Sequence, residues 1–598
     1  DTDEAKGRNF SGTLGLEWDI IKGLTFRTSG TVQYNVNKYN TYTIAWYDGA
    51  ESSASVSKNE SYTYMWDNTL NYVNTWKKHS LVGLAGFSIE KYESDGLGAS
   101  GSGFPDDQVL TNLNSAAKKN SISSSYSSNT LASFLSRLEY KFNNRYLLTL
   151  NFRADGSSQF GPDKRWGYFP SGAVAWIITE ENFMKDYSNI VSYLKLRGSV
   201  GKTGSQNLGA YDWRTLMGSA TYNGAAGIVP SSLGNDILQW EEQIQKEVGL
   251  DYGFWDDRIR GTLGYYQKKV DNLLYSDPVP TSSSFSSVYQ NIGSLKNRGI
   301  EFDVRVDIIK NAPKDLTWNV DFNIARNRTT LEKLNSSDGY FGGGAYDYFK
   351  IEEGGETGRF YGYKDAGRLF MTNEELVGLK TIDPKTGTLK YYRDDYNYER
   401  QGDVYIMDLD GDGQITADGD RTVIGNANPD FFGGFGSTLY WKGLMLNAVF
   451  SYSVGGDRFW DEEKNSSGDM NVYNTSNRIL DSWTVNPGVN ASYPRAMYYG
   501  WGSNSIITDR YIHDASYLRM TALNLSYRLP KHLYKNSILN AVEFTFQATN
   551  LFTWTKYPGM DPQGNFSTTY SAFYNMGIDY STYPSARTYN FGIKLTLK

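Results

Sequence analysis

The chain of 598 residues has no cysteine and only three histidines, and each scarcity removes a class of chemistry. Without cysteine there is neither a disulfide framework nor a thiolate centre. His79 and His532 sit beside short turns, and His513-Asp514 precedes a strand; no G-x-S-x-G or H-E-x-x-H pattern occurs. Carboxylate pairs are too frequent in so acidic a chain to single out a glycosidase, so no enzyme is expected. No run approaches the roughly 18 apolar residues of a membrane helix; the longest candidate lies around Leu81 to Ile89. That absence leaves a strand-built membrane protein untouched. Basic excess is lacking as well: the net charge is -7, which argues against nucleic acid. Gly342-Gly343-Gly344 neither follows a strand nor opens a helix, so it is no phosphate loop. No signal peptide precedes Asp1, so a processed precursor or an incomplete chain is expected.

What is present is alternation. In Leu131 to Tyr168, Phe134, Leu138, Tyr140 and Phe142 occupy even positions against Arg137, Glu139 and Lys141. After Asn143-Asn144 the pattern resumes, with Tyr146, Leu148, Leu150 and Phe152 against Arg145, Thr149, Asn151 and Arg153. Period two gives two strands, each with an apolar and a polar face. Asn-Asn accepts the positive φ of a tight hairpin turn. The unit recurs at Ile300 to Ile308 and Leu316 to Ile324, where Glu301, Asp303, Arg305 and Asp307 lie on the polar face. Acidic residues on the face away from lipid imply water behind it. Aromatics at 15% with 47 Tyr fit a girdled lipid face and a polar lumen. Girdle positions are expected at Phe142, Tyr146, Trp255, Trp318, Tyr440 and Trp441.

About seventeen strands are expected, with short turns and long loops alternating strictly. The fold class is therefore all-β, one large antiparallel transmembrane β-barrel over residues 1–598. Long extracellular loops are expected at 94–129, 203–238, 327–430, 454–515 and 553–586. Single-chain bacterial barrels have even strand counts, so an odd count predicts a missing upstream strand and an open barrel. The rival reading is a non-transporting glycan-binding or adhesin β-protein, whose loop lengths would not alternate.

Several segments carry a specific resemblance: RLEYKFNNRYLLTLNFRADGSSQFGPDKRWGYFPSGAVAWIITEENFM, LKLRGSVGKTGSQNLGAY, WEEQIQKEVGLDYGFWDDRI, NIGSLKNRGIEFDV, FYGYKDAGRLF, GDVYIMDLDGDGQIT with DRTVIGNANPDFFGGFGSTLYWKG, and YLRMTALNLSYRLP. In this order they resemble SusC-like TonB-dependent outer-membrane transporters. The resemblance implies a 22-stranded barrel plugged by an N-terminal domain. It implies import of glycans or peptides with TonB energy, beneath a SusD-like surface lipoprotein lid, and admits a dimer of transporter–lipoprotein pairs. The plug, the TonB box and the first strands have no counterpart here. The chain ends Leu597-Lys598 where the family ends in an aromatic.

Within the long connection, Asp408, Asp410 and Asp412 stand at positions 1, 3 and 5 of an EF-hand-like loop, with Gly413 at 6, the Gln414 carbonyl at 7 and Ile415 at 8. Position 12 is Gly419, and Asp420 one residue later is expected to supply the closing carboxylate. The metal expected is Ca2+ in preference to Mg2+, because an all-protein oxygen cage suits it; an acidic turn without metal is the alternative. Trp46, Tyr47, Tyr340, Phe341, Tyr346, Tyr391, Trp460, Trp483, Tyr499 and Trp501 crowd the long loops. They are candidates for stacking on a glycan or holding a peptide; the alternative is that they pack loops together or meet the lid.

Overall fold

The computed structural model describes the chain except residues 48, 313–314, 335–339, 343–347, 373–374, 376–379, 383–388, 392–400, 413–414, 469–474, 497–503, 505, 536–537, 565–575 and 581; for 281, 311–312, 340–342, 380–382 and 389–391 it describes the backbone alone. Two compact units divide the chain. The first is Asp1–Lys185 with Lys195–Val248 and Lys268–Ser294; the second is Asp186–Leu194 with Gly249–Gln267 and Leu295–Lys598.

Seventeen long strands belong to the main sheet. The earlier ones are β1 (Thr2–Ile21), β2 (Leu24–Thr43), β3 (Ser53–Trp76), β4 (His79–Ser102), β5 (Lys118–Phe142), β6 (Tyr146–Ser157), β7 (Trp166–Ile177), β8 (Val191–Ser205) and β9 (Glu241–Phe254). The later ones are β10 (Ile259–Asp271), β11 (Ser294–Ala312), β12 (Leu316–Lys333), β13 (Phe431–Trp441), β14 (Leu444–Val454), β15 (Tyr517–Arg528), β16 (Leu539–Thr555) and β17 (Thr588–Leu597). The expected large antiparallel all-β sheet is therefore present. Closure is not part of it: among the described residues no ladder joins the strands into a ring.

Turn chemistry sets the hairpins. Lys442 and Gly443 both adopt positive φ, 48° and 87°, the geometry that matches the twist of flanking strands. Asn143 and Asn144 do the same at 52° and 56°. Connections largely alternate: 22–23, 77–78, 143–145, 255–258 and 442–443 are short, whereas 103–117, 206–240, 334–430, 455–516 and 556–587 are long; strict alternation fails at 178–190, which takes a short-turn place yet is longer than the preceding 158–165. This regularity disfavours the adhesin-like rival.

One expectation is corrected. The loop placed at 94–129 is largely strand, because β4 runs to Ser102 and β5 starts at Lys118, with Asp95↔Tyr126 and Gly98↔Ser123 in register. Serine and glycine carry no apolar period, yet their backbones pair as well as any others. The loop placed at 327–430 likewise holds a four-stranded sheet, Tyr340–Gly342, Phe349–Ile351, Arg359–Tyr363 and Arg421–Asn426.

Burial in this fold is inverted. In the first unit one face runs Phe10↔Tyr34, Val32↔Tyr64, Trp66↔Ile89, Phe87↔Phe134, Leu138↔Leu150, Leu148↔Val174 and Trp176↔Leu196. In the second, Trp318↔Leu439, Leu446↔Leu525 and Phe546↔Phe591 share a face. The side chains of this face are exposed or only partly covered, with Leu14 79% and Phe591 81% exposed. Ile300 is exposed and Phe302, Val304 and Val306 are only partly covered, so no second sheet packs on them. Each such residue gains about 1.5–3 kcal/mol on leaving water, so the face requires a non-aqueous surrounding. The large fully buried apolar residues Phe160, Leu238, Phe360 and Phe459 lie instead in the connections.

Leu150→Arg on the apolar face should cost about 2–4 kcal/mol and Thr149→Arg on the polar face less than about 1 kcal/mol, read by urea unfolding from lipid vesicles. Equal losses would refute this assignment of faces.

Candidate functional site

The acidic loop lies between the short strands Val404–Ile406 and Arg421–Asn426. Apolar burial fixes both its ends: Ile406 and Ile415 pack with Phe370 and Ile506 in one cluster. Between them the backbone turns at Gly411, φ +77°. The Gly411 amide donates to Asp408 Oδ1 at 2.7 Å and the Asp412 amide to Asp410 Oδ1 at 3.1 Å. Donor oxygens of Asp408, Asp410 and Asp412 lie within 4.8 Å of one another. The Asp412 amide lowers the Asp410 pKa, but desolvation and the nearby carboxylates of Asp412, Asp420 and Asp408 outweigh it and hold Asp410 above the ordinary range. That is the electrostatics of a site a hard divalent cation would relieve.

Asp420 stands behind this trio. It is fully buried, and its two oxygens accept from the amides of Leu409 at 2.7 Å and Thr416 at 2.6 Å. The sequence reading assigned it to the metal; in the structure its oxygens also accept from the loop's own amides. Gly413 and Gln414 lie outside the described residues.

Two buried ion pairs carry the platform beneath the loop. Asp403 is held by Arg495 at 2.7 Å and by Asn504 Nδ2 at 2.9 Å. Asp365 lies 2.7 Å from Arg510. Burial nevertheless outweighs the Arg510 charge and pushes Asp365 above the usual carboxylate range. Sequence reasoning missed these residues, since Arg495 and Asp403 are 92 positions apart and no local pattern links them.

The aromatic candidates divide. Trp46 and Tyr47 are exposed at 70% and 75% and offer open rings. Trp460 is buried: His513 meets it edge-on at 5.9 Å and the Arg478 guanidinium lies 4.7 Å from its ring. It belongs to the loop packing and offers no open platform. Trp483 is half-buried against Gly402, where a Cβ would lie 2.3 Å from the Trp483 ring. Tyr340, Phe341 and Tyr391 contribute strand backbone, and their side chains, like Tyr346, Tyr499 and Trp501, lie outside the described residues. Glu463 ties this packing together, accepting from Arg478 at 2.6 Å and Tyr493 at 3.2 Å and lying 2.6 Å from His513 Nε2.

An antiparallel sheet with an uncovered apolar face, ion pairs opposite and alternating connections defines an outer-membrane β-barrel protein. The family model described as "TonB dependent receptor-like, beta-barrel" matches residues 1–551, and the chain belongs to that family, one of outer-membrane receptors and not of enzymes. It is 31% identical to the TonB-dependent receptor P3 of Formosa agariphila over 99% of its length and 58% of that protein. It is 32% identical to the TonB-dependent receptor SusC of Bacteroides thetaiotaomicron, over 78% of this chain and 44% of SusC. A chain of the RagAB peptide transporter structure superposes with TM-score 0.80 at 26% identity, covering 99% of this chain and 62% of that one. The chain thus spans a little over half the length of the first of these relatives.

The proton held by Asp365 gives a pH test. Because burial raises this carboxyl in the folded state, the folded loop keeps its proton where the unfolded chain, titrating near 3.9, has lost it. Stability around 365–369 therefore falls as pH rises from about 4 through the raised value. Hydrogen exchange at the Gly367 amide, which donates to Asp365 at 2.9 Å, should show this slope. Asp365→Asn should abolish it; a slope unchanged in that variant would refute the assignment.

Proposed function

We propose that the chain forms the barrel part of a SusC-like importer that moves an oligomeric nutrient, a glycan in preference to a peptide, across the outer membrane. TonB supplies the energy, and a SusD-like surface lipoprotein acts as the lid; two such pairs would form the dimer. The carrying observation is the polar face opposite the lipid belt. It holds ion pairs such as Arg153–Asp155 at 2.8 Å and Arg197–Glu247 in the first unit, and Arg260–Asp307 at 3.0 Å in the second. Charges held apart from hydrocarbon mark a hydrated path suited to a polar solute.

The open rings of Trp46 and Tyr47 support a glycan, since flat aromatic faces complement the apolar faces of sugar rings. The likeness to the RagAB peptide transporter favours the second reading, a peptide. Growth of a deletion strain on defined glycans and defined peptides separates the two. Loss of growth on a glycan only, restored by the wild-type gene and not without TonB, is expected. Growth unchanged on every source would end the import reading. Trp46→Ala with Tyr47→Ala should weaken uptake roughly 5- to 100-fold, the worth of two aromatic faces.

We assign to the acidic loop a structural calcium held by Asp408, Asp410 and Asp412, with the Gln414 carbonyl and Asp420 completing the cage and magnesium the weaker fit. Three mutually repelling carboxylates around a tight turn support it. Calcium at 100 times its Kd should stabilise the loop by about 2.7 kcal/mol, read as slower proteolysis between Asp403 and Arg421. Asp410→Asn should abolish the response. Calcium-independent cleavage of the wild-type protein would leave an acidic turn and no metal.

A further inference from the structure

Three lysines stand side by side across the first three strands. The register sets Lys6 opposite Lys38 and Lys38 opposite Lys58. By strand parity they share the face of Phe10, Tyr34 and Tyr62, four residues nearer the short turn on β1 and β2 and the matching distance along β3. Directly opposed like charges are unfavourable in a sheet, and this row contains two such pairs.

The compensation inside the protein is incomplete. Glu4 lies 2.6 Å from Lys6, and Glu60 pairs with Lys58. Neither Lys38 nor Arg8, two residues below Lys6 on the same face, forms an ion pair among the described residues. This part of the face on β1–β3 thus carries four cations against two carboxylates, with Asp95 of β4 opposite Glu60 as the next acid.

Depth identifies what could balance the row. On β1 the apolar belt runs Phe10, Leu14, Leu16, Trp18 and Ile20, and about 9–11 residues cross a bilayer. Four further residues, at about 3.3 Å each and a tilt near 45°, raise Lys6 about 9 Å above the belt. That reaches the outer edge of the headgroup layer, which adds roughly 5–8 Å on each side of the hydrocarbon, and Arg8, two residues lower, lies within it. Tyr34 and Tyr62, stacked at 4.7 Å, mark the interface between. The row lies away from the 22–23 turn, and short turns face the periplasm, so it sits in the outer leaflet.

We infer that Lys6, Lys38 and Lys58, with Arg8, bind the phosphate groups of an anionic lipid in the outer leaflet of the membrane. The occupant is a lipid because the row continues the hydrocarbon belt without a break in strand or register. It is anionic and phosphorylated because the row repels itself and the neighbouring carboxylates, Glu4, Glu60 and Asp95, leave it with excess positive charge.

The full protein purified in mild detergent is mixed with lipid A bearing its phosphates, with dephosphorylated lipid A, or with phosphatidylethanolamine, and bound lipid is counted by native mass spectrometry. Phosphorylated lipid A should be retained preferentially, and the preference should fade with added NaCl. Lys38→Glu should cut retention roughly tenfold. It should not lower thermal stability in lipid-free detergent, because both opposed pairs become attractive. Should that variant fold poorly, Lys38→Gln repeats the lipid measurement. Equal retention of the two forms of lipid A, a salt-independent preference, or retention unchanged in either variant would overturn the inference.

Discussion

Every ladder in the main sheet answers one constraint: in hydrocarbon a backbone amide has no water to turn to, so strands must satisfy one another. Once they do, side chains are free to invert the usual arrangement. Leu14, Trp18, Phe591 and Leu595 stand uncovered on strands whose backbones are paired. The chain can then be polar on average, with mean hydropathy -0.53, and still own a continuous apolar belt. Alternation halves the apolar requirement of each strand, and the long connections supply the polar remainder.

Those connections obey the opposite rule. They fold in water, and they bury what a water-soluble protein buries: Phe360, Phe459, Tyr511 and Ile578 pack in one cluster. Charges enter these small cores as partners. Lys464 is enclosed with Asp461 at 3.7 Å and Asn465 at 3.0 Å, and Asp461 also accepts from Tyr348 at 2.9 Å. Such pairs add little net stability after desolvation; their value is geometric. Segments separated by about a hundred residues, such as Asp403 and Asn504, acquire one arrangement. The acidic loop sits on that arrangement, which is why three aspartates can be held together despite repelling one another.

The two solvents explain what could be read from the chain. Strands facing lipid announce themselves, because hydrocarbon demands every second residue and turns such as Lys442-Gly443 demand positive φ. The hairpins and the alternation of short and long connections were legible for that reason. Beyond the belt the same strands are wet on both faces, and Gly98, Ser100 and Ser123 show no period though each is in a ladder. The loop strands were hidden differently: Arg359–Tyr363 pairs with Arg421–Asn426, a partner no local window contains. At the acidic loop the spacing of Asp408, Asp410 and Asp412 was readable because adjacent residues build it. The amide hydrogen bonds that Asp420 accepts from Leu409 and Thr416 were not, since they exist only once the loop has folded back on it. Trp460 illustrates the same limit, for an aromatic in a polar loop looks alike in sequence whether it serves a ligand or a core.

Length is the remaining clue to how these regimes join. Strands β3, β4 and β5 have 24, 24 and 25 residues, whereas about 9–11 suffice to cross the bilayer. A strand that continues past the membrane keeps its parity, so one face passes from hydrocarbon through headgroups into water without leaving its register. Side-chain type must change along that face while the backbone does not. Trp66 and Phe87 meet edge-on at 6.3 Å low on it, Tyr64 and Tyr62 follow, and Glu60 with Asp95 and then Lys58 succeed them. Had the sheet ended at the membrane surface, those extended segments would need separate support. Carried upward by their neighbours instead, β4 and β5 stay paired as far as Ser102 and Lys118, and the connection 103–117 starts from a paired base.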